Sequence, residues 1–355
     1  MGRDRVRSDM SQHTAEGDAA PGRLSDIVAA DEFALLRYNA EHGGVEWSGP
    51  PPARRHYVEV ADGQRLSAIV WGTVGDPALP GEDAPAPDLV FLHGHGQNAH
   101  TWDTVLLALG RPALAIDLPG HGHSDWREDK DYSLERNSDA LAEVIRRHAQ
   151  TPAFVVGMSM GGLSTIALAA RHPDVIRGAV IVDITPGSPP RLAGLTARQR
   201  GAEALTAGAT SFDSFEAMVD AAAAATPERT WESLARGVAL NARPDGEGRW
   251  IWRYDRARRR PAGGDAGGAE GGAAAPRPMT PGPPFEGQLW DLLDAADVPM
   301  TLVRGGASLF THDDDVQEWV RRKPGTAVHV APGSGHSVQS DAPRELVEVI
   351  RAALG

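Results

Sequence analysis

The sequence predicts an α/β protein: a mostly parallel, doubly wound sheet carrying an inserted helical segment. Three observations lead there. Short apolar runs, "DLVFLHG", "PALAIDLPG", "AFVVGMS", "GAVIVDI", "PMTLVRGG" and "TAVHVAPG", alternate with helical stretches. Unbroken apolar runs suit strands covered on both faces, as crossover-connected parallel sheets require. The alternation breaks between about 187 and 289, where Ala- and Arg-rich sequence intervenes. The chain of 355 residues is also long enough for one large embellished domain or two domains, with a substantial core.

The elements follow in order. Residues 1–22 are polar and aperiodic, which predicts a disordered tail. They hold basic residues but no apolar stretch of signal-peptide type, and Val6 breaks the myristoylation pattern. "LSDIVAADEFALLRYN" reads as a short helix with Ile27, Val28, Phe33, Leu35 and Leu36 on its apolar side. After the connector "SGPPPA", two strand-like runs flank Asp62-Gly63, a hairpin signal that adds antiparallel strands at one edge. "GDPALPGEDAPAPD" is a Pro-rich loop. Helices are expected at "HTWDTVLLALG", "SLERNSDALAEVIRRHA", "GGLSTIALAARHP", "DVQEWVRR" and "APRELVEVIRAAL". The insertion, 187–289, reads as mostly helical at first and then, at about 261–284, as a flexible Gly/Pro-rich loop. The sheet-bearing core is thus 23–186 together with 290–355.

Composition narrows the function. A formal net charge of −13 disfavours nucleic acid and anionic membrane surfaces as partners. The absence of cysteine removes disulfides, thiolate metal sites and a cysteine nucleophile. No window is apolar enough for a membrane span, so the expected location is the cytoplasm.

The chemistry centres on "AFVVGMSMGG": a strand, then G-x-S-x-G, then a helix. That context turns a weak pattern into a nucleophile elbow, with Ser159 on a sharp strand-to-helix turn that glycines make possible. A phosphate loop would need a following Lys, and none is present. With "FLHGHGQN", "IDLPGHGHSD", "GMSMGG" and "GSGHSV" in this order, the chain resembles the α/β-hydrolase family from about Arg55 onward, apart from the insertion. The resemblance implies an α/β-hydrolase fold, a serine hydrolase with a Ser-acid-His triad, and a cap domain where the insertion lies.

The base is expected at His336, in the loop after the last apolar run and in the chain order Ser, acid, His. The acid is less plain. The family commonly places it beyond the strand before the His strand, and that position is Ser308 here. Asp183, after the strand that follows the elbow helix, is the preferred substitute; some branches of the family are known to use that place. Asp313, Asp314 and Asp315 are alternatives, although acidic residues at a helix start also serve as caps. Oxyanion donors are expected from the backbone N–H of His95 and Met160.

Other features have plainer readings. His93, His95, His121 and His123 form two H-x-H pairs, a spacing that can bind metal, but they lie in Gly-rich turns without a third cluster. Trp102, Trp126, Trp231, Trp250, Trp252 and Trp290 flank the site loops or lie in the insertion, which together suggests an apolar acyl or alcohol group, while any single ring reads first as packing of the cap on the core. The basic run Arg253 to Arg260 reads as a solvated face. The sequence therefore predicts a serine hydrolase cleaving a carboxylic ester or related acyl bond in a small-molecule substrate, without cofactor or metal. A C–C bond hydrolase, a lactonase or a haloperoxidase-like enzyme on the same fold is one alternative, and a non-catalytic ligand sensor is another.

Overall fold

The computed structural model describes residues 24–355 apart from 74–79, 81–84, 193, 197, 198, 200–204, 207, 228 and 257–283. The expected tail at 1–22 and the expected loop at 261–284, save its last residue, lie outside the described residues. That last residue, Pro284, opens a helix instead.

The chain begins with α1 (Leu24–Ala30) and α2 (Leu36–His42), two helices where one was expected. The Asp31 side chain accepts a hydrogen bond from the amide of Phe33 at 2.9 Å, a local bond that competes with helix continuation. The hairpin follows as anticipated. Strands β1 (Ala53–Glu59) and β2 (Arg65–Trp71) pair antiparallel with Glu59 opposite Arg65, and Gly63 takes φ = 77° in the turn. Then come β3 (Leu89–Leu92), α3 (Asp103–Leu109), β4 (Ala113–Asp117), α4 (Leu134–His148), β5 (Ala153–Met158), α5 (Met160–Arg171) and β6 (Ile176–Val182).

The insertion follows β6. It holds α6 (Ser188–Leu192), β7 (Ser211–Phe212), α7 (Phe215–Ala225), α8 (Trp231–Asn241), β8 (Ala242–Pro244) and β9 (Trp250–Trp252). The helices match the expectation for this segment. The small antiparallel sheet β7-β9-β8 was not anticipated, because strands of two or three residues show no periodicity. The chain returns to the body through α9 (Pro284–Ala295), β10 (Met300–Gly305), α10 (Asp313–Arg322), β11 (Ala327–Ala331), α11 (Val338–Asp341) and α12 (Pro343–Leu354). No described helix is long and apolar enough to cross a membrane.

The main sheet runs β1-β2-β4-β3-β5-β6-β10-β11. Beyond the leading antiparallel strands, all pairs are parallel. Alternation along β3 shows how both faces are covered. Val90 and Leu92 join Leu141 of α4, Ile166 of α5 and Leu293 of α9 in one core. Leu89 and Phe91 join Trp102, Leu106 of α3 and Leu346 of α12 in the other. Strand β4 lies to one side of β3 and β5 to the other, so the winding reverses there. A crevice beyond the carboxyl ends of strands at such a reversal is where open α/β sheets hold ligands.

Two polar assemblies fix what surrounds that crevice. The first lies beneath the loops that follow β3 and β4. Asp117, fully buried at the end of β4, accepts hydrogen bonds from Ala99 N (2.7 Å), His123 N (3.0 Å) and Arg55 Nη1 (2.6 Å). Arg55 also bonds Glu32, whose Oε2 lies 3.1 Å from His100 Nε2, and His100 Nδ1 is 3.1 Å from Asp103 Oδ1. Burial opposes every one of these charges, but the partners win. The carboxyl of Glu32 is held far below its ordinary range by His100 and Arg55, and that of Asp117 is held at about 2 by Arg55, His93 and the amides. Asp103 and Glu32 carry His100 up to about 9 against its burial.

The second assembly ties the insertion to the body. The amide of Asp255 donates to Gly120 O (2.7 Å), and its Oδ2 accepts from Tyr132 OH (2.6 Å) and Lys130 Nζ (2.9 Å). Asn98 Nδ2 donates to Leu240 O (2.9 Å), and Arg229 pairs with Asp341 (2.7 Å). Within the insertion, Phe215, Met218 and Val219 of α7 and Leu234 and Val238 of α8 pack on Trp252 and Tyr254.

A histidine raised in the folded state stabilises the fold fully below its unfolded value of 6.5, and that stabilisation is lost as pH rises through about 9. Denaturant unfolding should therefore show a decline of about 3 kcal/mol across that window. The decline should be absent from His100→Gln.

Candidate active site

The serine turn is shaped by contacts that leave no room for side chains. Ser159 sits between β5 and α5 with φ = 51° and ψ = −119°, a strained backbone for a residue with a Cβ. A Cβ on Gly161 would lie 2.2 Å from Leu92 O and 2.6 Å from His93 O, so α5 begins directly against the end of β3. A Cβ on Gly157 would lie 2.5 Å from Gly161 O. The two glycines of G-x-S-x-G are therefore needed for close approach, and the turn leaves Ser159 lining a cavity. Met160 opens α5, so its amide is among the first-turn N–H groups that have no acceptor within the helix.

The loop after β3 comes up beside the serine. A Cβ on Gly94 would meet Met158 Sδ at 2.5 Å and Ser159 Cβ at 3.3 Å. Next in the chain is His95, inside a turn closed by Gln97 N to Gly94 O at 3.2 Å. Asn241 of the insertion donates to Gly96 O and so holds that turn from the other side.

His336 and Asp183 arrive from two further loops. The imidazole Nδ1 lies 2.8 Å from Asp183 Oδ2. Asp183 is fully buried immediately after β6, with φ = 50°, a second strained position. Its Oδ1 accepts from Gly305 N at 3.0 Å, and Ser308 Oγ donates to its Oδ2. The Phe310 ring stacks on the imidazole with centroids 3.5 Å apart. Ser159, His336, His95, Ser308 and Phe310 all line one cavity of about 960 Å³.

The three alternative acids stand elsewhere. Asp315 caps α10 by accepting from His312 N (2.9 Å) and also pairs with Arg191 Nη2 (2.9 Å). Asp313 pairs with Arg304, and Asp314 is exposed.

The H-x-H histidines do gather, with His93 and His95 each 5.3 Å from His121 between ring centroids. Both ring nitrogens of His93 and of His121 are engaged within the fold. His93 Nε2 accepts from Leu118 N (2.9 Å) while its Nδ1 donates to Gly94 O (2.8 Å). His121 Nε2 meets His95 Nδ1 at 3.3 Å. Burial pushes His93 and His123 down to about 4 and His95 and His121 to about 3, which leaves all four neutral at pH 7. Among the described residues no group of three or more such side chains is placed to hold a metal ion.

The tryptophans divide unevenly. Trp252 lines the cavity, whereas Trp102 and Trp290 are core residues and Trp126 is largely exposed. In the basic run, Arg253 bonds Ala242 O and Arg256 bonds Thr206 O, while 257–260 lie outside the described residues. Sequence reasoning missed Phe310 and the Gly305 amide, and it passed over Ser308 as a vacant acid position. A serine where an acid is usual was the one available signal.

An open α/β sheet with a serine in a strained strand-to-helix turn at its reversal point, lining one cavity with a carboxylate-bonded histidine, has the layout of the α/β hydrolases. A profile of the alpha/beta hydrolase family matches residues 89–349, and the chain belongs to that family. Among its relatives is the esterase Rv0045c of Mycobacterium tuberculosis (strain ATCC 25618 / H37Rv), 48% identical over 334 residues, covering 93% of this chain and 99% of the relative. A solved structure of that esterase aligns with a TM-score of 0.71 at 47% identity, covering 91% of this chain and 98% of the other. E-2-(acetamidomethylene)succinate hydrolase, at 20% identity and a TM-score of 0.65 over 85% of this chain and 99% of the other, shares the fold.

Gly161→Ala should force β3 and α5 apart, since the obstruction is backbone. A loss of about 1–3 kcal/mol in unfolding free energy is expected, with a matching fall in ester turnover.

Proposed function

We propose that this protein is an esterase that cleaves carboxylic esters through an acyl-enzyme on Ser159. The observation that carries the reading is the convergence of Ser159 and the Asp183-bonded His336 on one cavity. The 48% identity to a whole esterase supports it.

In this reading the reaction is acyl transfer in two halves. Asp183 fixes His336 with Nδ1 as donor, which leaves Nε2 as the acceptor. His336 takes the Ser159 proton as Oγ attacks the ester carbonyl. The carbonyl oxygen becomes an oxyanion, received by the amides of His95 and Met160. When the tetrahedral intermediate collapses, the C–O bond to the alcohol breaks and His336 returns the proton to the leaving alkoxide. Water then attacks the acyl-enzyme with His336 as base, releasing the acid and restoring Ser159. The Asp183 carboxylate orients the imidazole and offsets the imidazolium charge at each proton transfer.

In this reading residues 23–186 and 290–355 form the catalytic core, and 187–289 form a cap. Leu205, Leu234, Val238 and Trp252 of the insertion line the cavity, which supports an apolar group on the acyl or alcohol side. The volume of about 960 Å³ is at the large end for small-molecule sites.

Ser159→Ala should abolish both labelling by a fluorophosphonate probe and turnover of short p-nitrophenyl esters. Labelling that persists would assign the nucleophile elsewhere, and a labelled wild-type protein without turnover would favour a ligand sensor. Asp183→Asn should reduce kcat by about 10⁴-fold. A near-normal rate would return the acid to Asp313, Asp314 or Asp315.

A further inference from the structure

The end of β10 and the segment after it wrap the acid and the base together. The Gly305 amide holds Asp183 Oδ1 at 3.0 Å. The Ser308 hydroxyl donates to Oδ2, the same oxygen that accepts from His336 Nδ1 at 2.8 Å. Ser308 is itself fixed: its amide donates to Gly305 O at 3.1 Å, and its Oγ accepts from Phe310 N at 3.1 Å. An oxygen that accepts from an amide on one side must turn its own proton elsewhere, and the partner it meets is Asp183. Phe310, the donor of that amide bond, is also the residue whose ring lies on the imidazole. Asp183 is fully buried, so water does not compete for its carboxylate.

We infer that Ser308 is a positioning residue of the ester-cleaving reaction, a fixed hydroxyl donor that shares Asp183 Oδ2 with His336 and sets how strongly the carboxylate holds the imidazole. The inference rests on the Ser159–His336–Asp183 reading above. Each carboxylate oxygen can accept two hydrogen bonds, and here Oδ2 uses both on Ser308 and His336. The hydroxyl draws charge from Oδ2. Without it Oδ2 carries more charge and grips the Nδ1 proton more tightly, which favours the imidazolium. The carboxylate would also be held less firmly, with the Gly305 amide and the imidazole as its remaining partners.

The other charged groups near this pair are already partnered. Asp341 of α11 accepts from Gly335 N at 2.9 Å and pairs with Arg229 at 2.7 Å, while Arg304 of β10 pairs with Asp313. None of them changes in a Ser308 variant.

The test compares Ser308→Ala, Ser308→Thr and wild type by the pH dependence of kcat/KM and kcat on a short p-nitrophenyl ester. Ser308→Ala should lower kcat about tenfold with little change in KM. It should also move the acid limb of kcat/KM to higher pH by about half a unit or more. Ser308→Thr, which keeps the hydroxyl, should restore both. The far-downfield Nδ1 proton resonance of His336 should shift in the Ala variant and return in the Thr variant. If the Ala variant does not fold, Ser308→Cys takes its place, since a thiol is a weak donor at similar volume. Profiles and resonances that superimpose on wild type would overturn the inference even if kcat falls, because a packing defect alone would not move them. Failure of the underlying reading looks different: Ser159→Ala would keep its label, or Asp183→Asn its rate, whatever Ser308 does.

Discussion

The hydrogen bond between Asp183 and His336 is the contact on which the rest of the site depends. It spans 153 residues of chain and joins the end of β6 to a loop beyond the far strand of the sheet. A carboxylate buried this completely is tolerable only when donors surround it, and here three do: the imidazole, the Gly305 amide and the Ser308 hydroxyl. Each donor comes from the end of β10 or from the segments that follow β10 and β11. The need to satisfy one charge therefore fixes where those segments lie, and with them the imidazole that faces the proposed nucleophile.

A second buried carboxylate does the same work on the opposite flank. Asp117 holds the amides of Ala99 and His123, and so anchors the loops after β3 and β4. Its charge is met by Arg55 from the edge hairpin. The proposed oxyanion loop thus rests on one charge and the proposed base on another, at strand ends on either side of β5. Preorganised donors of this kind need no rearrangement when charge develops during reaction. The strain at Ser159 and at Asp183 is sustained by the close backbone packing around both.

The legible parts of this molecule are those written locally. Buried parallel strands announce themselves as unbroken apolar runs, and the serine turn as a strand, spaced glycines and a helix. Asp183 could be singled out because it directly follows a strand with the right exit edge. What escaped was made through space. Arg55 looks like any charged residue at the start of a strand, yet it bridges Glu32 and Asp117. The partnership of Ser308 with Asp183 spans 125 residues, and a serine standing where an acid is usual was its one signal. Strands of two or three residues in the insertion carry no alternation to detect. Among the tryptophans, packing is the use that any single ring was expected to have, and Trp102 and Trp290 are spent on the core.

The anchoring of the insertion has a bearing on how firmly it is held. A backbone bond to Gly120, a tyrosine hydroxyl and a lysine ion pair meet at Asp255, and Val28 and Leu35 of the N-terminal segment join the apolar core of the insertion. Parting that seam would at once strip a buried carboxylate of its partners and wet an apolar face, so two separate costs oppose it and no single change of solvent removes both.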